Sequence, residues 1–461
     1  MSCSPSSDAM EHPFLQMPLH LLTLILSELD DMQSLGSAIR SHRLLYAAYR
    51  DDTNTVLKSI LRNQIPPGLM RYAVVAHDAR HIDRDDKEAL DQLLVETLGR
   101  RDRRGLTFHQ RFLKYRIENN AAAPALAAAL SSTHSVVQHF SRRFLADTLP
   151  LAPEVFGPAR SRSAEASADE IFRACRALYR FEIYCNVGFR DDDNGEPGGD
   201  LSQGWSSVRK GCQEYTHFRA FSPWVNEQLA CMHDYLERVL SRVFDEIAAH
   251  DVEWGAKSVD WLSRGKENMH KQAYLSYGLH FLFRVDRAEG YEQRLQLLKS
   301  KGLPHTSSFL AAHLHRAPPQ DVCRCCPPGK YLLGDRRWTR QEIESELRAR
   351  DTDGPDDLDS GPFDIWWYVH KHSFVQESVF QGENSLLRHY GYVMWDVPRT
   401  FDRGEVRSRV RAARRQAVAD HDEVEKGRGQ MERSWRERAA VYEDGGRGYW
   451  SEADLSRINW A

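Results

Sequence analysis

Residues 223–247 read PWVNEQLACMHDYLERVLSRVFDEI, and this stretch decides the fold. Its apolar side chains recur at steps of three or four residues, which is the period of one face of an α-helix. They are Val225, Leu229, Met232, Leu236, Val239, Val243 and Ile247. The pattern predicts a helix of about 25 residues, or more than six turns. It stops before the several heptads that a coiled coil needs, so we interpret it as a central core helix.

The same helical period recurs along much of the chain, and the sequence therefore predicts a mainly α protein. Short strands are expected only near Tyr331–Leu333 and Tyr390–Trp395. Changes in composition along the chain predict its organisation. We expect a flexible N-terminus over 1–12, a three-helix module over 13–62, an irregular helical body over 63–400 and a charged C-terminal extension over 401–461.

The composition is that of a folded chain without a strong charge bias. Of its 461 residues 41 % are hydrophobic, which is enough for a core, and a formal net charge of -4 gives no general attraction to nucleic acid or to an anionic membrane. The longest apolar runs are far shorter than the ~20 residues of a membrane span. Because the N-terminus has no basic region followed by an apolar one, we expect no secretory signal. The eight cysteines are then reduced thiols in the cytoplasm or the nucleus.

The N-terminal segment Met17–Leu29 reads MPLHLLTLILSEL. It resembles the opening of an F-box, which has a Pro after an apolar residue, a Leu pair, an Ile-Leu pair and a final Leu. Ser34-Leu35 and Ser41–Tyr46 are similar to the second half of that module. Met17 stands where the family has Leu, and the third helix has no Trp. The segments Phe221–Cys231, Asp251–Trp254 and Tyr390–Asp396 resemble parts of filamentous-fungal proteins with F-box-like N-termini, which implies no activity.

The F-box resemblance implies a partner. F-box proteins use this module to dock on a Skp-family adaptor within a cullin ubiquitin ligase, through an apolar helix face laid into a groove. The residues implied to bind the adaptor are Pro18, Leu21, Leu22, Ile25, Leu26 and Leu29. The alternative is an ordinary N-terminal helical hairpin that packs on the rest of the chain.

Motifs of the common enzyme classes are missing from the sequence. It has no Walker loop, no GxGxxG after a strand, no HExxH and no GxSxG, so we expect neither catalytic residues nor a cofactor. A weak zinc alternative combines Cys323, Cys326, His313 and His315, but it lacks a second CxxC or a spaced His pair. The default is a loop with free thiols.

Two further segments allow more than one interpretation. The arginine-rich segment 403–415 could contact phosphates, but it has few aromatic side chains and acidic residues follow it. We therefore interpret it as solvated and expect no nucleic-acid partner. The aromatic segment Phe363–Val369 is interpreted as core, with a target-recruiting surface as the alternative.

Three functional hypotheses remain open from the sequence. The chain is an adaptor that docks on a ubiquitin ligase and recruits a target, or a helical scaffold or regulatory protein with a residual F-box, or an enzyme of unfamiliar type. Burial separates the first two. Exposure of Leu22, Ile25 and Leu26 as one patch favours docking, whereas coverage by the chain itself favours the scaffold.

Overall fold

The computed structural model describes residues 17–83, 86, 88–89, 92–93, 106–118, 120–151, 165–188, 221–262, 268–302, 309–310, 339–342, 361–370, 385–396, 408, 412 and 427–460. Over these residues the protein is mainly helical, with one two-stranded sheet, so the predicted fold class is confirmed. The chain divides into two compact units. Unit 1 comprises Met1–His77 and Arg104–Ser135, and unit 2 comprises Asp78–Arg103 and Val136–Ala461.

Unit 1 begins with four short helices that follow one another closely. They are α1 (Leu19–Ser27), α2 (Met32–Ser41), α3 (Arg43–Asp51) and α4 (Thr53–Gln64). Carboxylates cap two of them, because Asp31 accepts from the backbone N–H of Ser34 at 2.7 Å and Asp52 accepts from that of Thr55 at 3.0 Å. These caps fix where α2 and α4 begin.

The remainder of unit 1 consists of α5 (Pro67–Asp78), α6 (Leu106–Phe112), a π-helical turn (Leu113–Ile117) and the part of α7 (Ala123–Thr148) that ends at Ser135. Gln64 on α4 donates to the carbonyl of Ser131 at 3.3 Å, and Asn63 donates to the carbonyl of Ser27 at 3.2 Å. The compact unit is therefore larger than the module predicted over 13–62, since α5 and 104–135 belong to it.

Unit 2 is built around one long helix, α9 (Pro223–His250), which confirms the predicted core helix. Its apolar positions, including Leu229, Leu236 and Val243, are buried. Several helices of the described part of unit 2 pack against it. They are α8 (Ala168–Gly188), α10 (Val252–Ala256), α11 (Met269–Leu275), α12 (Leu279–Arg287), α13 (Gly290–Lys299), α14 (Pro362–His370) and α15 (Ser385–His389). The aromatic segment forms α14, with Phe363 and Trp366 buried as predicted.

The C-terminal residues are folded onto unit 2 and do not form a solvated extension. A helix over 427–443, α16, precedes an antiparallel pair of strands, β1 (Gly446–Gly448) and β2 (Ile458–Trp460). Met431, Arg438, Trp450 and Ile458 are buried. Arg438 donates to the carbonyls of Ala248 at 2.7 Å and Asp251 at 2.9 Å, so its charge meets the C-terminal end of α9. The expectation of a solvated tail is corrected for 427–460.

The predicted strand over Tyr390–Trp395 is wrong. These residues form consecutive turns after α15, and Tyr392 to Trp395 are buried. The run is apolar because it lies in the core, and burial alone does not select a strand. The strand expected near Tyr331–Leu333 lies outside the described residues. None of the described helices combines the length and the apolar character that a membrane span requires.

Candidate functional site

Helix α1 is apolar on both sides, and only one side is covered. Leu22 and Leu26 have 0 % and 1 % of their surface exposed, and they lie where α1 packs against α3 and α4. Thr23 shares that side and donates to the carbonyl of Ala48 at 3.2 Å. This side anchors α1 in unit 1, and burying two leucines there contributes roughly 1.5–3 kcal/mol each.

The opposite side of α1 faces solvent. Leu21, Leu24 and Ile25 are 40 %, 58 % and 40 % exposed, and their spacing of three and four residues places them on one stripe of the helix. We call this stripe the exposed α1 face. Soluble surface helices normally carry polar residues on their outer side. A helix with apolar residues on its outer side as well is typical of a surface that binds another apolar surface.

The six residues implied to bind an adaptor therefore divide into two groups. Pro18, Leu21 and Ile25 are exposed, whereas Leu22 and Leu26 are buried within unit 1 and Leu29 is half-buried. Leu22, Ile25 and Leu26 do not form one solvent-facing patch. Leu24, the most exposed of the leucines, was missed by the motif comparison, although its spacing from Leu21 could have identified it.

Other exposed apolar side chains also concentrate in unit 1. Of the nine large hydrophobic side chains that are exposed in the described part of the chain, six belong to this unit. They include Tyr46 on α3 and Tyr115 on the π-helical turn, which is a helical irregularity often found at functional sites. Among the described residues, unit 1 therefore carries more of the exposed large apolar side chains than unit 2.

The weak metal candidates cannot be placed. Cys323, Cys326, His313 and His315 lie outside the described residues, as does nearly all of 403–415. Within the described ranges, no group of three or more His, Cys, Asp or Glu side chains could hold a metal ion. The described cysteines, Cys175, Cys185 and Cys231, are buried, and burial raises the pKa of the Cys175 thiol to about 11. Such thiols are poor nucleophiles at neutral pH.

Unit 2 contains a buried cluster of charged side chains between α9 and α15. Arg388 donates from Nε to Asp234 Oδ2 at 2.6 Å, and its Nη1 lies 3.6 Å from Glu227 Oε1. His233 contacts Asp234 through Nδ1 at 3.1 Å and Gln272 through Nε2 at 3.0 Å. The guanidinium of Arg388 therefore lies close to two acidic side chains of α9, Asp234 and Glu227.

The surroundings of the two acidic side chains in this cluster shift their pKa values in opposite directions. Burial raises the pKa of Glu227 to about 8, and the nearby Arg388 charge only partly opposes this rise. Burial also raises the pKa of Asp234, but the opposing effects of Arg388 and His233 are larger and bring that pKa down to about 2. Burial lowers the pKa of His233, but Asp234, Glu237 and Gln272 together raise it by more, so the net shift is upward. Arg388 thus pairs with a permanently charged Asp234.

Three buried arginines on α8 were not predicted as interior residues. Arg173 donates to the carbonyl of Met394 at 2.9 Å and to Asp396 at 2.8 Å. Arg176 donates to Gln228 at 2.7 Å, and Arg180 donates to the carbonyl of Val225 at 2.8 Å. These bonds join α8 to α9 and to residues 390–396. Buried charged groups also occur in catalytic sites, but these hydrogen bonds are to core backbone and side chains and cross-link the helices.

Comparison with known proteins found no match for this chain. No protein-family model matches the chain, and neither the curated proteins nor the solved structures include a match.

Proposed function

We propose that this chain is a protein-binding adaptor whose exposed α1 face docks on a Skp-family protein of a cullin ubiquitin ligase. The helical body would recruit a target, and the chain would hold no catalytic residue of its own. Such ligases act in the cytoplasm and the nucleus, where we expect the protein to act. One observation carries the proposal, namely that Leu21, Leu24 and Ile25 are exposed on a helix whose other side already anchors it in unit 1.

The size of the exposed α1 face limits what it can contribute. Burying the remaining exposed surface of these three side chains contributes on the order of 1 kcal/mol each. A micromolar complex needs about 8 kcal/mol in total. The docking surface must therefore include neighbouring exposed residues of unit 1, of which Pro18 directly precedes α1.

The test is a binding titration of the intact chain with a purified Skp-family adaptor. The variant Leu21→Asp/Leu24→Asp places charge on the exposed α1 face and leaves Leu22 and Leu26 untouched. We expect it to weaken binding at least tenfold, because carboxylates would have to enter an apolar interface. Ile171→Asp is the matched control, since Ile171 is also an apolar helix residue, 44 % exposed, but lies on α8 of unit 2.

Two outcomes would count against docking through α1. One is an intact chain that does not bind the adaptor, and the other is a double variant that binds as tightly as the Ile171→Asp control. Circular dichroism establishes that each variant is folded before its binding is compared.

The second candidate is a helical scaffold or regulatory protein with a residual F-box. The burial of Leu22 and Leu26 within unit 1 favours it, because these are two of the residues implied to bind the adaptor. It predicts that the adaptor does not bind, while Leu22→Ala still destabilises unit 1.

A further inference from the structure

His233 is a fully buried histidine on α9 whose two ring nitrogens both contact side-chain oxygens. Its Nδ1 lies 3.1 Å from Oδ1 of Asp234, and its Nε2 lies 3.0 Å from Oε1 of Gln272 on α11. Both distances are those of hydrogen bonds. A neutral imidazole has one N–H donor and one acceptor nitrogen, whereas an imidazolium has two donors. What the two oxygens can do therefore decides which form the ring takes.

The Asp234 side chain can only accept. Its Oδ2 accepts from Nε of Arg388 at 2.6 Å, while its Oδ1 contacts His233. Burial raises the pKa of Asp234, but Arg388 and His233 bring it down to about 2, so the carboxyl is ionised at neutral pH. An ionised carboxylate has no hydrogen to donate. Nδ1 of His233 is therefore the donor in this bond and carries a proton.

The amide of Gln272 is oriented by a second hydrogen bond. Its Nε2 donates to Oε2 of Glu237 at 3.3 Å, and Glu237 lies one helical turn after His233 on α9. Turning the amide over would bring its oxygen against the Glu237 carboxylate, so that two acceptors would face each other. With the amide nitrogen bound to Glu237, the amide oxygen faces His233. Nε2 of the ring therefore carries a proton as well.

The charges around His233 agree with this geometry. Burial lowers the pKa of His233, but Asp234, Glu237 and Gln272 together raise it above the ordinary 6.5. The charged and titratable side chains near the ring come from three helices. Among the described residues they are Glu227, Asp234, Glu237, Arg238 and Asp245 on α9, Lys271 on α11 and Arg388 on α15.

We propose that His233 is a buried imidazolium that bonds α11 to α9, and that loss of its Nε2 proton breaks this connection as the pH rises. The proton passes to solvent, and Nδ1 keeps its own because it faces the Asp234 carboxylate. The bare Nε2 then lies against the oxygen of Gln272, and the amide cannot turn to donate to it without losing Glu237.

The loss of this one bond loosens α11 and does not detach it. A second connection remains, because Nζ of Lys271 on α11 donates to Oγ of Ser241 at 2.8 Å and lies 2.8 Å from Oδ1 of Asp245. Unit 2 therefore contains a pH-sensitive contact between two of its core helices. This contact is independent of the proposed docking through α1.

His370 provides a matched control, because it is equally buried in unit 2 but has different surroundings. Its Nδ1 contacts the carbonyl oxygen of Trp366 at 2.9 Å. Burial lowers the pKa of His370 to about 4, so this ring is neutral at neutral pH. Burial by itself therefore does not produce an imidazolium.

The first test is nitrogen-15 NMR of the histidine rings in the intact chain at neutral pH. The variants His233→Gln and His370→Gln identify the two rings by their missing signals. We expect both ring nitrogens of His233 to carry protons and only one of those of His370, since a nitrogen without its proton shifts strongly downfield. A bare nitrogen on His233 would overturn the proposal and place the proton on Glu237, whose pKa is raised by burial.

The second test asks whether the Nε2 proton bonds α11 to α9. In Gln272→Leu, which removes the acceptor on α11, the His233 ring should lose its Nε2 proton at a lower pH than in the wild type. The same NMR signals, followed as the pH is raised, measure this shift. An unchanged titration of His233 in Gln272→Leu would show that α11 takes no part in holding the proton.

The third test measures what the proton contributes to folding. Urea unfolding compares His233 with His233→Gln from pH 6 to pH 9, with Glu227→Gln in both proteins so that this carboxyl does not titrate. Because the folded-state pKa lies above 6.5, the contribution of His233 is fully present below about pH 6.5 and is lost as the pH rises through the folded pKa. We expect the ratio of folded to unfolded protein, relative to His233→Gln, to fall over the interval in which Nε2 loses its proton. A relative ratio that stays constant would contradict the proposed contact.

Discussion

The buried carboxyl of Glu227 makes a sharp prediction about the pH dependence of stability. Burial raises its pKa from 4.5 to about 8 in the folded protein, so the folded state holds its proton across the neutral range while the unfolded state releases it. The stabilisation is therefore fully present below about pH 4.5 and is lost as the pH rises through about 8. Glu227→Gln keeps the shape of the protonated side chain and cannot ionise.

The expected magnitude follows from the pKa change. A shift from 4.5 to about 8 corresponds to roughly 5 kcal/mol at about 1.4 kcal/mol per unit, of which about 2.5 kcal/mol is lost between pH 6 and pH 9. The groups that face Glu227 are Arg388 on α15, Asp234 and Cys231 on α9, and Tyr392. They are present in both proteins. The difference between wild type and Glu227→Gln therefore isolates the one carboxyl.

The assay is urea unfolding of both proteins at half-unit steps from pH 6 to pH 9. Relative to Glu227→Gln, the wild type should become steadily less stable as the pH rises, by about 2.5 kcal/mol over the range. A difference that stays constant with pH, or one in which the wild type gains stability, would refute the argument, because it would mean that Arg388 holds Glu227 ionised throughout.

Three further predictions concern stability and are measured by urea unfolding. Leu22→Ala should lower the free energy of unfolding by about 2–5 kcal/mol, whereas Leu24→Ala should change it by less than about 0.5 kcal/mol; equal effects would contradict the two-sided description of α1. Gly255→Ala should destabilise by about 1–3 kcal/mol, since the added methyl would clash with the side chain of the buried Arg438. Asp52→Ala should lower the free energy of unfolding by about 1 kcal/mol, because it removes the side-chain cap of α4. Asp52→Asn should lower it by much less, because the amide oxygen can still accept from the backbone N–H.

The elements that the sequence predicted well are those with one apolar face. The period of Leu229, Leu236 and Val243 set the position of α9, because a single apolar stripe has only one favourable orientation against a core. Helix α1 has leucines all round, so the sequence located the helix but did not determine which side is buried. That choice depends on α3 and α4, which cover Leu22 and Leu26.

The interior polar groups were not predictable from local pattern. Arg173, Arg176 and Arg180 would be assigned to a solvent-facing stripe by their charge, and their burial depends on carbonyl and amide oxygens from α9 and residues 390–396. The same holds for Arg438, whose partners precede it by 187 and 190 residues. Such pairings form only when distant segments meet, and the charge-rich tail was interpreted as solvated for this reason.

The contact between Arg438 and the end of α9 also sets an order of events during translation. The carbonyl of Ala248 leaves the peptidyl-transferase centre 190 residues before the guanidinium that binds it. At 5–20 residues per second this interval is on the order of 10–40 s. A nascent chain therefore carries α9 without this cap on its C-terminal end throughout that time, and the cap forms only after α16 has been synthesised.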